Sequence, residues 1–121
     1  MIGGLRTVVY PVGDLAAGKA FYQAVLERPP YFDEVFYVGF EASGFELGLV
    51  PDGVPGLDGA TAYWASSDLE GDIARIVALG ASVHAPLGDV GGGIRLATLR
   101  DPFGNQFGLI DNPHFDRAKV A

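Results

Sequence analysis

The alternation of apolar and polar residues predicts seven short strands, at 5–12, 36–40, 45–50, 60–65, 81–83, 94–100 and 106–110. Between them, apolar residues at helical spacing predict two helices. The first begins after Asp14 and ends before Pro29, and the second begins after Asp68 and ends at Gly80. Each aspartate stands where a helix N-cap is expected, because its carboxylate can accept hydrogen bonds from the first turn.

The second half of the chain repeats the order of elements found in the first half. Residues 12–15 match residues 66–69 at the two helix starts, and residues 45–50 match residues 105–110 in the two last strands. Chance seldom reproduces both element order and turn residues, so we infer an internal repeat. The prediction is one domain made of two βαβββ modules, at about 5–50 and 60–111, with a linker at 51–59 and a polar C-terminal tail at 112–121.

The turn at Asp101-Pro102-Phe103-Gly104-Asn105 separates the last two predicted strands. Proline fixes φ, and Gly104 and Asn105 tolerate positive φ, so the sequence predicts a tight β-hairpin. In the first module, Glu41 to Gly44 takes the place of Asp101 to Gly104. We place the few extra residues of the second module around Gly91-Gly92-Gly93.

Side chains on a strand point alternately to the two faces of a sheet, so the more apolar set of each strand should pack under the helices. The other set forms a mixed face, which we expect to line a small-molecule cleft. The candidate ligand-binding residues on this face are Thr7, Tyr37, Glu46, Gly48, Thr61, Tyr63, Leu99, Gln106 and Gly108.

Glu46 is the only carboxylate that strand parity places on this mixed face. It could pair with a cationic ligand, act as a general base, or be a solvated carboxylate at the rim of the cleft. Gly48 and Gly108 have no side chains, so we expect them to leave a space that an organic group could enter.

Composition narrows the classes of partner. The net charge of −7 argues against nucleic acid and anionic membrane surfaces, whose phosphates attract lysine and arginine. Without cysteine the chain has no disulfide, thiolate nucleophile or cysteine-ligated zinc. Neither a signal peptide nor a run of roughly 18 apolar residues is present, so a cytoplasmic protein is expected.

The paired modules, the helix start that leads to Phe21-Tyr22 and the Asp101–Asn105 turn resemble the vicinal oxygen chelate superfamily. This superfamily includes glyoxalase I, extradiol dioxygenases, fosfomycin resistance proteins and bleomycin resistance proteins. The resemblance implies an α+β fold, in which two βαβββ modules form a curved mixed sheet around a cleft. It also implies a homodimer, with the cleft formed either within one chain or between modules of two chains.

Superfamily members that bind a divalent metal have histidine, glutamine or glutamate at four positions. Those positions correspond here to Thr7, Gly48, Thr61 and Gly108. Glycine offers no ligand atom and threonine is a poor ligand, so we expect no metal and no cofactor. His84 and His114 lie elsewhere and are expected to be ordinary surface histidines. The triple glycine is not placed between a strand and a helix, as a phosphate-binding loop would be.

The resemblance favours a metal-independent small-molecule binding protein, similar to the bleomycin resistance branch, that sequesters a cationic or aromatic compound. The alternative is a glyoxalase- or dioxygenase-type enzyme, a lyase or an oxidoreductase. Such an enzyme would be metal-free with Glu46 as base, or would use a non-standard metal site. A subunit whose sheet only binds another protein is less well supported, because the mixed face carries polar groups.

Overall fold

The computed structural model describes residues 6–58 and 60–114. In the first half of the chain lie β1 (Thr7–Pro11), α1 (Leu15–Leu26), β2 (Phe32–Glu34), β3 (Tyr37–Ala42) and β4 (Phe45–Val50). In the second half lie β5 (Tyr63–Ala65), α2 (Leu69–Ala78), β6 (Ser82–Asp89), β7 (Arg95–Arg100) and β8 (Gln106–Asp111). Of the predicted segments, Leu5, Gly59 in the linker and tail residues 115–121 lie outside the described residues.

Both halves build the same four-stranded mixed sheet. The strand orders are β1-β4-β3-β2 and β5-β8-β7-β6, with the first strand parallel to the last of its module and the other pairs antiparallel. The α+β class and the repeated βαβββ order are therefore confirmed. The chain divides into two compact units, one ending at Leu57 but including Phe103–Asn105, and one formed by the rest.

The two predicted N-caps are confirmed. Asp14 accepts a hydrogen bond from the Ala17 amide at 3.1 Å, and Asp68 accepts one from the Gly71 amide at 3.1 Å. Each cap satisfies a backbone donor that the first helical turn leaves unpaired. Neither helix in the described part of the chain is long and apolar enough to cross a membrane.

In each unit the predicted apolar face of the sheet is buried. In the first unit Leu47 and Leu49 are fully buried together with Phe40, and Tyr22 of α1 is also buried. In the second unit the strand residues of this face are Ala97, Leu99, Phe107 and Leu109, and Ile76 of α2 is buried too. Burial of these side chains is the main favourable contribution to the stability of each unit.

The prediction that Leu99 lies on the mixed face is wrong. Leu99 pairs with Phe107 and has 0 % exposure, so both side chains lie on the core face. Gly39 lies opposite Gly48, nine positions later, whereas Thr98 lies opposite Gly108, ten positions later. Five residues, 101–105, thus separate Arg100 from its partner Gln106, one more than in the predicted turn 101–104, and a one-residue shift moves every side chain of β7 to the other face. Thr98 lies where Leu99 was expected.

The strand β2 was not predicted. It has only three residues, follows Pro29-Pro30, contains Asp33 and Glu34, and forms the edge of its sheet. Short, charged edge strands carry little hydrophobic pattern, although they protect a sheet against unwanted pairing. The turn after β3 is also shorter than expected, because only Ser43 and Gly44 separate Ala42 from Phe45.

The turn between β7 and β8 packs into the first unit. Asn105 Nδ2 donates a hydrogen bond to the Pro11 carbonyl at 2.7 Å, and the Gly56 amide donates to Asn105 Oδ1 at 3.3 Å. Phe103 contacts Phe21 edge-on, with ring centroids 6.0 Å apart. Asn105 is buried, so its amide replaces water at two backbone groups.

We expect Asn105→Ala to lower the free energy of unfolding by about 1–3 kcal/mol, because it leaves the Pro11 carbonyl and the Gly56 amide without this partner. Urea denaturation followed by circular dichroism measures the change. The control is Asn112→Ala, which removes a side chain that accepts a hydrogen bond from the His114 amide in an exposed turn. A loss no larger than that of the control would contradict the role assigned to Asn105.

Candidate functional site

The mixed face of the first sheet contains two adjacent rows of side chains. Strand pairing places Thr7, Glu46 and Glu41 in one row, and Val9, Gly48, Gly39 and Phe32 in the next. The first row is polar and acidic, and the second has two bare glycines at its centre. The predicted Thr7, Glu46 and Gly48 thus lie on one face.

The Glu46 carboxylate is surrounded by hydroxyl groups. Thr7 Oγ1 donates to Glu46 Oε1 at 2.9 Å, and the Tyr31 hydroxyl donates to Oε2. The Tyr31 hydrogen bond lowers the pKa of Glu46 most; partial burial opposes it, and bonds from Thr7 and Tyr37 lower the pKa further. The net shift is downward from the usual 4.5, so Glu46 is ionised at neutral pH.

The two tyrosines beside Glu46 remain protonated donors. Burial raises the pKa of Tyr37 to about 12, and the hydrogen bond and the negative charge of Glu46 act in the same direction. The pKa of Tyr31 is raised mainly by its hydrogen bond to Glu46. Both phenols therefore stabilise the carboxylate without carrying a charge that would neutralise it.

Glu46 is not the only carboxylate on this face, contrary to the prediction. Glu41 lies opposite Glu46, and Glu34 lies opposite Tyr37. Glu41 is satisfied, since it pairs with Arg28 at 3.1 Å and accepts from the Gly44 amide at 2.6 Å. Within residues 6–58 and 60–114, by contrast, Glu46 forms no ion pair.

Four aromatic side chains form a cluster next to the carboxylate. Ring centroids are 6.5 Å apart for Tyr31–Phe32, 6.1 Å for Phe32–Phe36 and 5.9 Å for Phe32–Tyr37. Tyr31 and Phe36 are 65 % and 63 % exposed. Only Tyr37 of this aromatic cluster was predicted. The other three residues were missed because the sequence did not predict strand β2, which places Phe32 opposite Gly39.

The predicted empty space above Gly48 and Gly108 is filled by tyrosine rings. A Cβ atom at Gly48 would lie 2.7 Å from Cζ of Tyr37 and closer still to its hydroxyl. A Cβ atom at Gly108 would lie 2.5 Å from Cε1 of Tyr63. The glycines therefore leave room for the side chains of Tyr37 and Tyr63 over the sheets, which strand parity alone could not reveal.

The mixed face of the second sheet is built from neutral and basic groups. Gln106 Nε2 donates to Thr61 Oγ1 at 2.9 Å, and Arg100 lies opposite Gln106 on β7. In the next row Tyr63, Gly108 and Thr98 lie side by side. The Thr98 hydroxyl is buried and has no hydrogen-bond partner within the described part of the chain. Of the predictions for this unit, Thr61, Tyr63, Gln106 and Gly108 share this face.

The residues do not fit a metal centre of the kind implied by the resemblance. At the four corresponding positions Thr7 and Thr61 are engaged with Glu46 and Gln106, and Gly48 and Gly108 are covered by rings. The described residues contain no group of three or more histidine, cysteine or acidic side chains that could hold a metal ion. His84 is exposed on β6, and His114 Nε2 lies 2.6 Å from the Gly92 carbonyl oxygen.

Comparison with known protein families gives a match over most of the chain. Residues 4–109 match the model of the Glyoxalase/Bleomycin resistance protein/Dioxygenase superfamily, which confirms the resemblance seen in the sequence. No curated protein matches the chain significantly.

Solved structures of similar fold are numerous. One is a lactoylglutathione lyase from Agrobacterium tumefaciens, with a TM-score of 0.78 at 18 % identity, covering 96 % of this chain and 100 % of that one. A glyoxalase-related enzyme from Fulvimarina pelagi has a TM-score of 0.77 at 18 % identity, with 93 % and 90 % covered. A glyoxalase/bleomycin resistance protein from Albidiferax ferrireducens T118 has a TM-score of 0.75 at 24 % identity, with 90 % and 98 % covered. At these identities the likeness concerns the fold alone.

We expect Gly48→Ala to displace the Tyr37 ring, because the new methyl group would overlap it. The pKa of Tyr37 should then fall from about 12 towards its ordinary value of 10.0, as the ring loses burial and its contact with Glu46. Ultraviolet difference titration measures this shift. Stability should fall by about 1–3 kcal/mol, the usual cost of overpacking.

The matched control is Gly88→Ala on β6, where a new Cβ would meet no atom within 4 Å. It should leave both the titration and the stability nearly unchanged. An unaltered tyrosine titration in folded Gly48→Ala would show that Tyr37 does not occupy the space above Gly48.

Proposed function

Because the chain belongs to the glyoxalase/bleomycin resistance protein/dioxygenase superfamily, we propose that it is a metal-independent small-molecule binding protein for organic cations. The main support for this proposal is the combination of hydrogen bonds and unpaired charge at Glu46. Its carboxylate is held by the hydroxyls of Thr7, Tyr31 and Tyr37, yet it has no cationic partner among the described residues. An ammonium or amidinium group of a ligand would supply the missing positive charge.

The hydroxyl groups prepare the carboxylate for such a ligand. They hold both oxygens in place, so little side-chain freedom remains to be lost on binding. The two carboxylate oxygens offer about four acceptor sites, so the three hydroxyl groups leave room for about one further donor. A ligand that covers Glu46 would also exclude water, which strengthens the attraction between the two charges.

The aromatic cluster suits the rest of the same ligand. Tyr31, Phe32, Phe36 and Tyr37 offer ring faces and edges next to the negative charge. Cations are attracted to aromatic faces, and a planar or apolar body gains from burial against the rings. A carboxylate beside aromatic rings therefore favours a cation attached to an aromatic or apolar group over a neutral sugar or an anion.

Catalysis by Glu46 as a general base is less well supported. A catalytic base works best when its pKa lies near the working pH, whereas the hydroxyl groups lower the pKa of Glu46 below its ordinary value. The same shift suits a residue whose task is to stay charged. The lactoylglutathione lyase is similar to this chain in fold at 18 % identity, and this similarity does not support the same activity here.

We expect benzamidine, a planar cation, to bind more tightly than benzamide, which has nearly the same shape without the charge. Glu46→Gln should weaken benzamidine by about 1–3 kcal/mol, the range for a charged hydrogen bond, and leave benzamide nearly unchanged. Calorimetry on both ligands and both proteins gives the comparison. Binding of benzamidine should persist somewhat below pH 4.5, because the pKa of Glu46 is lowered, and should vanish on further acidification.

Glu34→Gln is the control for a general charge effect. Glu34 shares the mixed face and is exposed, but it takes no part in the hydrogen bonds between Glu46 and the hydroxyls of Thr7, Tyr31 and Tyr37. Its removal should change benzamidine affinity little. Equal losses in the two variants would mean that the overall negative charge attracts the cation, and the proposed site would be wrong.

We also expect the dialysed protein to contain no stoichiometric transition metal, because the four corresponding positions offer two threonines and two covered glycines. Elemental analysis by plasma mass spectrometry tests this. The proposal of metal independence is wrong if about one zinc, nickel, manganese or iron ion per chain remains after dialysis. The metal-dependent enzyme would then be the better-supported alternative.

A further inference from the structure

The polar row of the first unit has a counterpart of different charge in the second unit. In the first unit the row contains Thr7, Glu46 and Glu41. The corresponding row of the second unit contains Thr61, Gln106 and Arg100. The threonine is retained, but the two carboxylates are replaced by an amide and a guanidinium group.

We propose that this second row, Thr61–Gln106–Arg100, is a binding site for a carboxylate group. Arg100 is exposed at the end of β7, opposite Gln106, and forms no ion pair with any described residue. A guanidinium group binds a carboxylate through two parallel hydrogen bonds, which neither a hydroxyl nor an amide can reproduce.

The direction of the neighbouring hydrogen bond favours an anion. Gln106 Nε2 donates one of its two hydrogens to Thr61 Oγ1 and keeps the other. The Thr61 oxygen is the acceptor, so its own proton is free to donate. In the first unit the polarity is reversed, because Thr7 donates to the acceptor Glu46. The second row thus presents donors where the first presents a carboxylate.

The adjoining row adds a buried donor. Thr98 has 5 % exposure, and its hydroxyl has no hydrogen-bond partner among residues 6–58 and 60–114. It lies two residues from Arg100 on β7, so both side chains are on the same face. A buried hydroxyl without a partner is unfavourable, and an acceptor that reaches it removes that penalty.

Tyr63 offers a surface for the organic part of the ligand. Its ring lies over the bare backbone of Gly108, between β5 and Thr98, and is 44 % exposed. A planar acid could stack on this ring while its carboxylate reaches Arg100. The site therefore favours aromatic or unsaturated carboxylates over inorganic anions. It stands on the second unit alone and does not depend on the cation site around Glu46.

Benzoate is the probe, with benzamide as its neutral counterpart, in titrations of the isotopically labelled full chain by NMR. We expect benzoate to shift the side-chain amide signals of Gln106 and the backbone signals of Thr98 and Gly108. Arg100→Gln should weaken benzoate at least about tenfold, as expected for a charged hydrogen bond, without altering benzamide. Arg75→Gln, which removes a partly exposed arginine of α2 that pairs with Asp72, is the control for the loss of a positive charge elsewhere, and it should bind benzoate like the wild type.

Two further variants test the row without touching Arg100. Gln106→Leu should weaken benzoate, and Thr98→Val, which keeps the shape but removes the hydroxyl, should weaken it about fivefold. Glu46→Gln should leave benzoate affinity intact, which separates this site from the cation site. Wild-type benzoate affinity in folded Arg100→Gln, or benzoate-induced shifts that do not include Gln106, would overturn the proposal. Equal losses in Arg100→Gln and Arg75→Gln would overturn it too, by showing attraction to any surface arginine.

Discussion

In each unit one helix packs on one face of the sheet, and that face holds most of the buried apolar side chains. Strand alternation then commits every second side chain to the other face, whatever its chemistry. The burial of Leu47 and Leu49 is therefore what directs Glu46 and Gly48 to the mixed face. In the second unit, the burial of Phe107 and Leu109 directs Gln106 and Gly108 in the same way. The position of the site follows from packing on its opposite side.

Features set by local chemistry were predictable from the sequence. Asp14 and Asp68 cap their helices, and the parity of β1 and β4 placed Thr7 beside Glu46. The prediction for Leu99 was wrong because the strand register there depends on the length of the turn. The hydrophobic pattern does not determine that length to within one residue. The tyrosine rings above the two glycines could not be predicted either. Parity determines the face of a side chain but not the direction in which it leans.

Two carboxylates in one row show two ways of keeping a negative charge on a protein surface. Glu41 is matched by Arg28, in an exposed pair that water screens and that contributes little to stability. Glu46 is instead held by neutral hydroxyl groups, which lower its pKa while leaving its charge unbalanced. The first arrangement is electrostatically complete. The second leaves a negative charge without a cationic partner among the described residues, and the proposed binding of organic cations rests on this difference.

The turn Phe103–Asn105 packs into the first unit although it is encoded near the end of the chain. Phe21 and the Pro11 carbonyl obtain these partners only from residues more than 80 positions later in the sequence. During synthesis on the ribosome, the amino-terminal module therefore cannot complete its packing until the last hairpin has emerged from the exit tunnel. Domains usually fold as units in the order of their synthesis. In this protein, the first module completes its packing only after the last hairpin of the second module has been synthesised.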